Sequence, residues 1–479
     1  MNEIIQEDPS VLALLGLGKR PDSGSVKGSR FNFFVEDDQG GVLIFNTLSN
    51  CLIRTDQSTA ELLKNREAIN VATVGLDFDK LFESRIIVSS KDDELSLYRS
   101  FYAVLLQLRH LRKGMVRYNI LTTTACNARC FYCFEEGIKQ EHMTRETACS
   151  VADYILDSHS STEEIHLRWF GGEPLLNPEA ISLICKRCKD VGINFYSTLS
   201  TNGWHLDDTM LKRAIQGWNL AKVRFSFDGT RAEHNRRKAF IEIGDAFSKT
   251  LDHMRNTIKA GVHVVVRYTL DLENEKSLWA LARELVLEFR DIPNVTMYAK
   301  GIGQETSSTA YLQNPERVLR TQKAVEDLND WLHSVGKFDL ERIKPAGIRI
   351  HNCAANDPRC VVISPTGLLS SCECFCTPAN QWGDVRRGIT DASRWERWRI
   401  PKKLAPQCEI CSLIPMCTPF AADCPWGFYD CHRLFGLSLA RFMRENFRRR
   451  ELGKQLIPFS DNFAQFSVVK LTKKGGENE

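Results

Sequence analysis

From Tyr118 onward, short apolar runs alternate with amphipathic stretches. Residues 118–124, 165–170, 195–201, 222–228, 263–270 and 295–299 read as strands. The stretches between them carry apolar residues three and four positions apart. Leu211, Ala214, Ile215 and Trp218 form one such set, and Phe247, Leu251, Met254 and Ile258 form another. That spacing lines one face of an α-helix. Strands separated by helices pair in parallel, because each crossover needs about a helix of chain. The expectation is an α/β core of six β/α units over residues 113–345, a parallel sheet with helices outside. Ligands of such sheets meet the C-terminal strand ends, where the βα loops gather.

Ahead of the core, residues 31–35 and 42–45 are apolar and aromatic, and Asp37-Asp38-Gln39-Gly40-Gly41 separates them, a hairpin signature. Residues 56–64 and 76–82 read as short helices, 86–88 as a strand, and 98–111 as a helix leading into the core. Residues 1–30 are polar and read as loosely ordered. Together, 1–112 form a winged-helix-like α+β module, of common domain size. Beyond the core, 361–369 reads as a hairpin turning at Pro365-Thr366-Gly367. Residues 437–447 read as an amphipathic helix ending in Arg448-Arg449-Arg450, a solvated helix end, with a basic surface for an acidic peptide or an electron donor as the alternative. The expected division is 1–112, 113–345, 346–435 (cysteine-rich) and 436–479 (helix and tail).

A chain of 479 residues can bury a large core, and 43% hydrophobic with 26% charged residues is ordinary for a globular protein. A net charge of +3 makes no case for nucleic acid. With neither an export signal nor a transmembrane-length apolar run, no membrane association and a cytoplasmic location are expected. The seventeen cysteines change this picture. Three lie within 126–133 and ten between Cys353 and Cys431. A long chain without an export signal points them to metal rather than disulfides. Cys185 and Cys188 look like a C-x2-C pair, but with Ile181 and Ile184 they share the buried face of a helix. Those two, Cys149 and Cys51 read as core, since buried cysteine behaves as a small hydrophobe.

The first group is Cys126-Asn127-Ala128-Arg129-Cys130-Phe131-Tyr132-Cys133, directly after a strand. Three thiolates on one loop can hold three irons of a [4Fe–4S] cube, leaving the fourth iron open to a ligand. The competing reading, zinc, wants a fourth Cys or His nearby, and none follows before His142. The spacing, with an aromatic before the last cysteine, resembles the radical SAM superfamily. That resemblance implies a partial (β/α)6 barrel, S-adenosylmethionine on the open iron and its reductive cleavage to a 5′-deoxyadenosyl radical, with Cys126, Cys130 and Cys133 as catalytic cluster ligands.

Further motifs stand at successive strand ends. Gly171-Gly172-Glu173-Pro174 resembles the family's GGEP-type element, which implies that backbone and Glu173 accept from the cofactor's ammonium group. Ser200-Thr201-Asn202-Gly203 and Ser226-Phe227-Asp228-Gly229 resemble elements implied to reach its ribose and carboxylate, and Arg267 is a candidate for the carboxylate. The implied cofactor-binding set is Gly171, Gly172, Glu173, Ser200, Thr201, Asn202, Ser226, Asp228 and Arg267. Two positions depart from the family: Asn235, after His234, replaces the Asp of the usual His-Asp, and Thr269, after Arg267, replaces the Asn of the usual Arg-x-Asn.

The second cysteine group resembles the SPASM domain, which carries two auxiliary [4Fe–4S] clusters. Cys353-x13-Gly367-x4-Cys372 fits the first half of that pattern and Cys408-x2-Cys411-x5-Cys417 the second. Cys424 follows after six residues rather than three. The resemblance implies Cys353, Cys360, Cys372 and Cys424 for one cluster, and Cys408, Cys411, Cys417 and Cys431 for the other. Cys374 and Cys376 are left over. Two structural zinc sites are the competing reading.

The whole resembles radical SAM/SPASM maturases of ribosomally made peptides. This implies three [4Fe–4S] clusters, S-adenosylmethionine, a flavodoxin or ferredoxin reductant, and a precursor peptide with a leader bound by residues 1–112. A plain structural cap is the alternative for that module. The implied chemistry is hydrogen abstraction leading to a C–C, ether or thioether cross-link. The alternatives are a sulfatase-type formylglycine maturase and, without catalysis, an iron–sulfur or zinc peptide-binding scaffold. Glu135 and Asp228 are acidic candidates for a general base.

Overall fold

The computed structural model describes residues 3–7, 25–69, 78–109, 114–133, 135–302, 314–340, 353–374, 376, 378–400, 406–417, 422–424 and 431–459. The chain forms two compact units: 1–112 with 341–352 and 401–479, and 113–340 with 353–400. The cysteine-rich stretch 346–435 is thus divided between them.

The larger unit is built on a ten-stranded sheet. Its strands β7 (Arg117–Leu121), β8 (Ile165–Phe170), β9 (Phe195–Thr201), β10 (Leu220–Phe227), β11 (His263–Leu270) and β12 (Val295–Gly301) lie side by side in sequence order, all parallel. Helices Arg145–Ser158, Pro178–Asp190, Asp208–Trp218, Ala246–Lys259 and Glu275–Glu288 fill the crossovers. This is the expected α/β architecture of six β/α units. Side chains along β8 and β9 alternate between buried and half-buried. On one face of β9, Ser197 meets Trp169 Nε1 at 3.0 Å; on the other, Thr198 meets His166 Nε2 at 2.8 Å. Cys185 and Cys188 are buried, as their helical spacing requires, whereas Cys149 is half-buried rather than core.

The sheet does not stop at β7. β13 (Cys360–Ile363) adds to its free edge in parallel, Cys360 opposite Arg117. It turns back into β14 (Leu368–Ser370), then β15 (Gln381–Asp384) and β16 (Gly388–Ile389). The hairpin expected at 361–369 is therefore a continuation of the barrel sheet. The run expected as strand 118–124 ends at Leu121, because Thr123 leaves the sheet to bridge His142.

The smaller unit holds a four-stranded antiparallel sheet, ordered β1 (Glu3–Gln6), β5 (Cys51–Thr55), β4 (Val42–Asn46), β3 (Asn32–Glu36). β2 (Val26–Gly28) pairs with β6 (Ile87–Ser89). The hairpin forms as the pattern indicated, and helix Gln57–Lys64 starts on Asp56, whose side chain accepts the Thr59 N–H. Helices Phe78–Glu83 and Glu94–Arg109 follow; residues 76–77 and 110–111 of those expectations lie outside the described residues. Residues 1–30 are not uniformly loose, since β1 pairs along β5.

Residues 406–417 pack onto this module. Ile414 joins Phe31, Leu48, Tyr98 and Leu105 in one apolar cluster, and Tyr98 Oη donates to the Ile414 carbonyl at 3.1 Å. Helix Cys431–Glu451 runs through the arginines expected as a solvated end. Those arginines are engaged: Arg449 pairs with Glu445 at 2.7 Å and Arg450 with Glu3 at 2.6 Å. No helix among the described residues is long and apolar enough to cross a membrane.

Candidate active site

Beyond β7 the chain makes a loop closed on itself. Thr124 N–H donates to the Glu141 carbonyl at 3.0 Å, and Thr124 Oγ1 to the Lys139 carbonyl at 2.7 Å. Within it, Cys133 N–H donates to the Cys130 carbonyl at 3.0 Å, and Ala128 N–H points at Cys126 Sγ, 3.4 Å away. Burial pushes the Cys126 thiol up to about 12 and Cys133 to about 11, with Cys130 also raised. Each of Cys126 and Cys133 also feels the charge of Cys130. A bound cation reverses that preference, because a coordinating thiol is deprotonated outright.

Among the described residues no three His, Cys, Asp or Glu side chains gather around a single ion position. A cube holds each thiolate on a separate iron, so its ligands stand farther apart than those of one ion. The donor set fits such a cluster: three soft thiols on one short loop, with no fourth protein ligand at matching spacing.

Glycines let the end of β8 approach this loop. Gly171 has φ +128°, and a Cβ there would lie 2.3 Å from the Thr123 carbonyl oxygen. A Cβ on Gly172 would lie 2.3 Å from that of Ala125. Glu173 follows, fully buried. Its Oε1 accepts Thr201 Oγ1 at 2.8 Å and Leu175 N–H at 3.1 Å; its Oε2 accepts Asn202 N–H at 2.8 Å. Burial raises its pKa to about 7 despite these donors. Three of roughly four acceptor sites are used, which leaves one for an outside donor. Asn202 Nδ2 in turn donates to Asn127 Oδ1 at 2.7 Å and lies 3.9 Å from Cys126 Sγ. Gly171, Gly172, Glu173, Thr201 and Asn202 thus form one connected wall against the cysteine loop.

Ser200, Ser226 and Arg267 are half-buried on β9, β10 and β11. Asp228 is fully buried, and Tyr132 Oη donates to its two oxygens at 2.8 and 2.7 Å. Lys238 Nζ stands 3.5 Å from Asp228 and donates to Ser226 Oγ at 2.8 Å. A carboxylate so enclosed is a poor general base. Glu135 is half-buried, and burial, with the charge of Glu373, pushes its pKa up to about 8. Glu373 itself pairs with Arg168 at 2.5 Å.

Sequence reasoning did not single out Lys238 or the Asp228 pairing of Tyr132. Arg236-Arg237-Lys238 looks like a solvated helix end, yet Arg237 is 1% and Lys238 4% exposed. The signal available was position: the basic run closes the short helix after the Ser-Phe-Asp-Gly strand end.

Of the second cysteine group, Cys353, Cys360, Cys372, Cys374 and Cys376 belong to the larger unit, and Cys408, Cys411, Cys417 and Cys424 to the smaller. Cys360 and Cys424 are buried, Cys353 is exposed, and the rest are half-buried. Ser370 Oγ lies 3.3 Å from Cys376 Sγ, which makes Cys376 part of the same neighbourhood as β14. Cys431 opens helix Cys431–Glu451, and its side chain lies outside the described residues. Among the described residues no disulfide is formed.

Residues 120–285 match the Radical SAM superfamily. An uncharacterised protein of Methanocaldococcus jannaschii is 30% identical over 235 residues, 47% of this chain and 73% of that one. Fe-coproporphyrin III synthase of Methanosarcina barkeri is 26% identical over 194 residues, 40% of this chain; the match spans only 46% of that relative's length. A solved structure of polyhistidine-tagged anSMEcpe with bound AdoMet superposes on 70% of this chain and 96% of its own, with TM-score 0.55 and 15% identity, which establishes the shared fold. The cysteine loop, the glycine–glutamate wall and the parallel sheet that carries them lead to one assignment: the chain belongs to the radical SAM superfamily.

Proposed function

We propose that this protein is a radical SAM enzyme that modifies a side chain of a precursor peptide, by forming a C–C, ether or thioether cross-link. The observation that carries the reading is the Cys126–Cys130–Cys133 loop with the Glu173–Asn202 wall hydrogen-bonded to it; the ten further cysteines from Cys353 to Cys431 in the sequence support it. When bound, the first cluster and S-adenosylmethionine supply a 5′-deoxyadenosyl radical for hydrogen abstraction, and auxiliary clusters supply a sink for the second electron.

The chain's own residues do the positioning. Cys126, Cys130 and Cys133 would hold the first cluster. Glu173, through its one remaining acceptor site, would take a cofactor ammonium hydrogen, while its other bonds fix Asn202 beside Cys126. Auxiliary clusters would draw on Cys353, Cys360 and Cys372 of the larger unit and on Cys408, Cys411, Cys417, Cys424 and Cys431 of the smaller. The α+β module would bind the peptide's leader. Support for a peptide substrate comes from the fold neighbour anSMEcpe, also solved with AdoMet and the Kp18Cys peptide; a 23% identical stretch of the radical SAM cyclopropyl synthase TigE of Paramaledivibacter caminithermalis supports radical SAM chemistry. A flavodoxin or ferredoxin would deliver the electron, in the cytoplasm.

The test is a search for a small peptide gene neighbouring this one, then mass spectrometry of that peptide after incubation with reduced, cluster-loaded enzyme and S-adenosylmethionine. A cross-link removes two hydrogens from the peptide. Conversion of a Cys or Ser to formylglycine would replace this reading with the sulfatase-type one, and an unchanged peptide would count against both.

A further inference from the structure

Helix Arg231–Lys238 ends against the cysteine loop, and its last residue meets that loop through its backbone. The Lys238 carbonyl accepts Arg129 N–H at 2.9 Å and lies 3.8 Å from Cys130 Sγ. The chain then turns through Ala239 at φ 45°, a left-handed conformation that costs a non-glycine residue about 1 kcal/mol or more. Phe240 bridges Ala128, and Ile241 N–H donates to the Asn127 carbonyl at 2.9 Å.

The Lys238 side chain does not leave for solvent. Its ammonium donates to Ser226 Oγ at 2.8 Å, stands 3.5 Å from Asp228 Oδ1 and lies 5.8 Å from the centre of the Tyr132 ring. Two further cations face the pair. Arg237 Nε is 3.9 Å from Asp228, with Nη2 held by Asp271 at 2.7 Å, and Arg267 approaches from β11. Burial disfavours the Lys238 charge, but Asp228 and Cys130 more than offset that.

We propose that Lys238 and Asp228 form a buried charge couple beside the cysteine loop that sets the reduction potential of the cluster held by Cys126, Cys130 and Cys133. This rests on the cluster reading above. Reduction adds one negative charge to a poorly solvated site. A fixed cation beside it raises the potential, and a fixed anion lowers it. The tyrosine hydroxyl on Asp228 and the serine hydroxyl on Lys238 hold the couple in one orientation, so Lys238 and Asp228 are positioning residues rather than catalytic ones.

The experiment is a redox titration of anaerobically reconstituted protein without S-adenosylmethionine, followed by electron paramagnetic resonance. The signal read is the one whose shape changes when S-adenosylmethionine is later added. Lys238→Met lowers the equilibrium constant for one-electron reduction about tenfold, a shift of ~59 mV to lower potential. Asp228→Asn raises it by a similar factor, and Lys238→Arg stays near the parent. Shifts of the same sign in Lys238→Met and Asp228→Asn, or no shift in either, overturn the couple. If Lys238→Met does not fold, Asp228→Asn decides alone, since a merely structural ion pair predicts no rise. A parent protein with no signal responsive to S-adenosylmethionine overturns the cluster reading itself, an outcome distinct from failure of the couple.

Discussion

Glu173→Gln makes a prediction opposite to the usual cost of cutting a buried hydrogen-bond network. An unfolded glutamate titrates at 4.5, and in the folded protein Glu173 titrates at about 7, with burial the largest cause. A carboxyl whose folded pKa is raised binds its proton more tightly in the native state. Stability is then greatest below the unfolded pKa and falls as pH rises from 4.5 through 7. The gap corresponds to about 3 kcal/mol lost by pH 8, and less than about 1 kcal/mol lost near pH 5. Glutamine has nearly the shape of the protonated acid and never acquires the charge. Its oxygen can keep Thr201 Oγ1 and Leu175 N–H, the two donors now on Oε1. Its NH2 takes the place of Oε2 and leaves Asn202 N–H without that acceptor, at about 1 kcal/mol. The variant, free of metal and cofactor, is therefore expected to be more stable than the parent by up to about 2 kcal/mol at pH 8, with the advantage gone at pH 5. For a unit of this size that is roughly 4 °C in midpoint. Differential scanning calorimetry of both proteins at the two pH values reads it. Cofactor binding should weaken in the same variant, because Oε2, which carries the one open acceptor site, is replaced by an NH2 that only donates. A variant less stable than the parent at pH 8 would mean that the three donors outweigh desolvation, and the reasoning about Glu173 would fail.

Gly172→Ala drives a methyl into the Ala125 carbonyl oxygen, so the cysteine loop must move; iron uptake on reconstitution should fall, measured against a parent expected to hold roughly twelve irons in three cubes. Tyr98→Phe strands the buried Ile414 carbonyl and should cost about 1–2 kcal/mol in the smaller unit, read from urea unfolding followed by a probe in that unit. Cys411→Ala should lower peptide modification while leaving release of 5′-deoxyadenosine measurable by chromatography; loss of both together would tie Cys411 to the first cluster. Deleting residues 31–95 should weaken binding of the full precursor in a titration and spare cofactor cleavage, whereas unchanged affinity would support a plain cap.

The elements of the larger unit were legible because each strand carries a buried row and each helix an apolar face, as at Leu211, Ala214 and Trp218. The Glu173 wall was legible because glycine at 171 and 172 is what a backbone-to-backbone approach leaves in a sequence. Long-range pairing was not. Nothing local tells that Cys360 will lie opposite Arg117, since the pairing is specified by a sheet edge more than two hundred residues away. Nor does local pattern tell that residues 406–417 fold onto Phe31 and Tyr98 rather than with 353–400. Lys238 was hidden for a related reason. A lysine is buried only where partners await it, and Ser226 and Asp228 come from another element.

The central claim is that Cys126, Cys130 and Cys133 hold a cluster able to cleave S-adenosylmethionine. The direct measurement is 5′-deoxyadenosine, quantified by chromatography after dithionite reduction of reconstituted parent and of Cys130→Ala. The parent should release it and the variant should not, with the auxiliary cysteines intact in both. Release by Cys130→Ala at the parental rate would contradict the assignment of that loop.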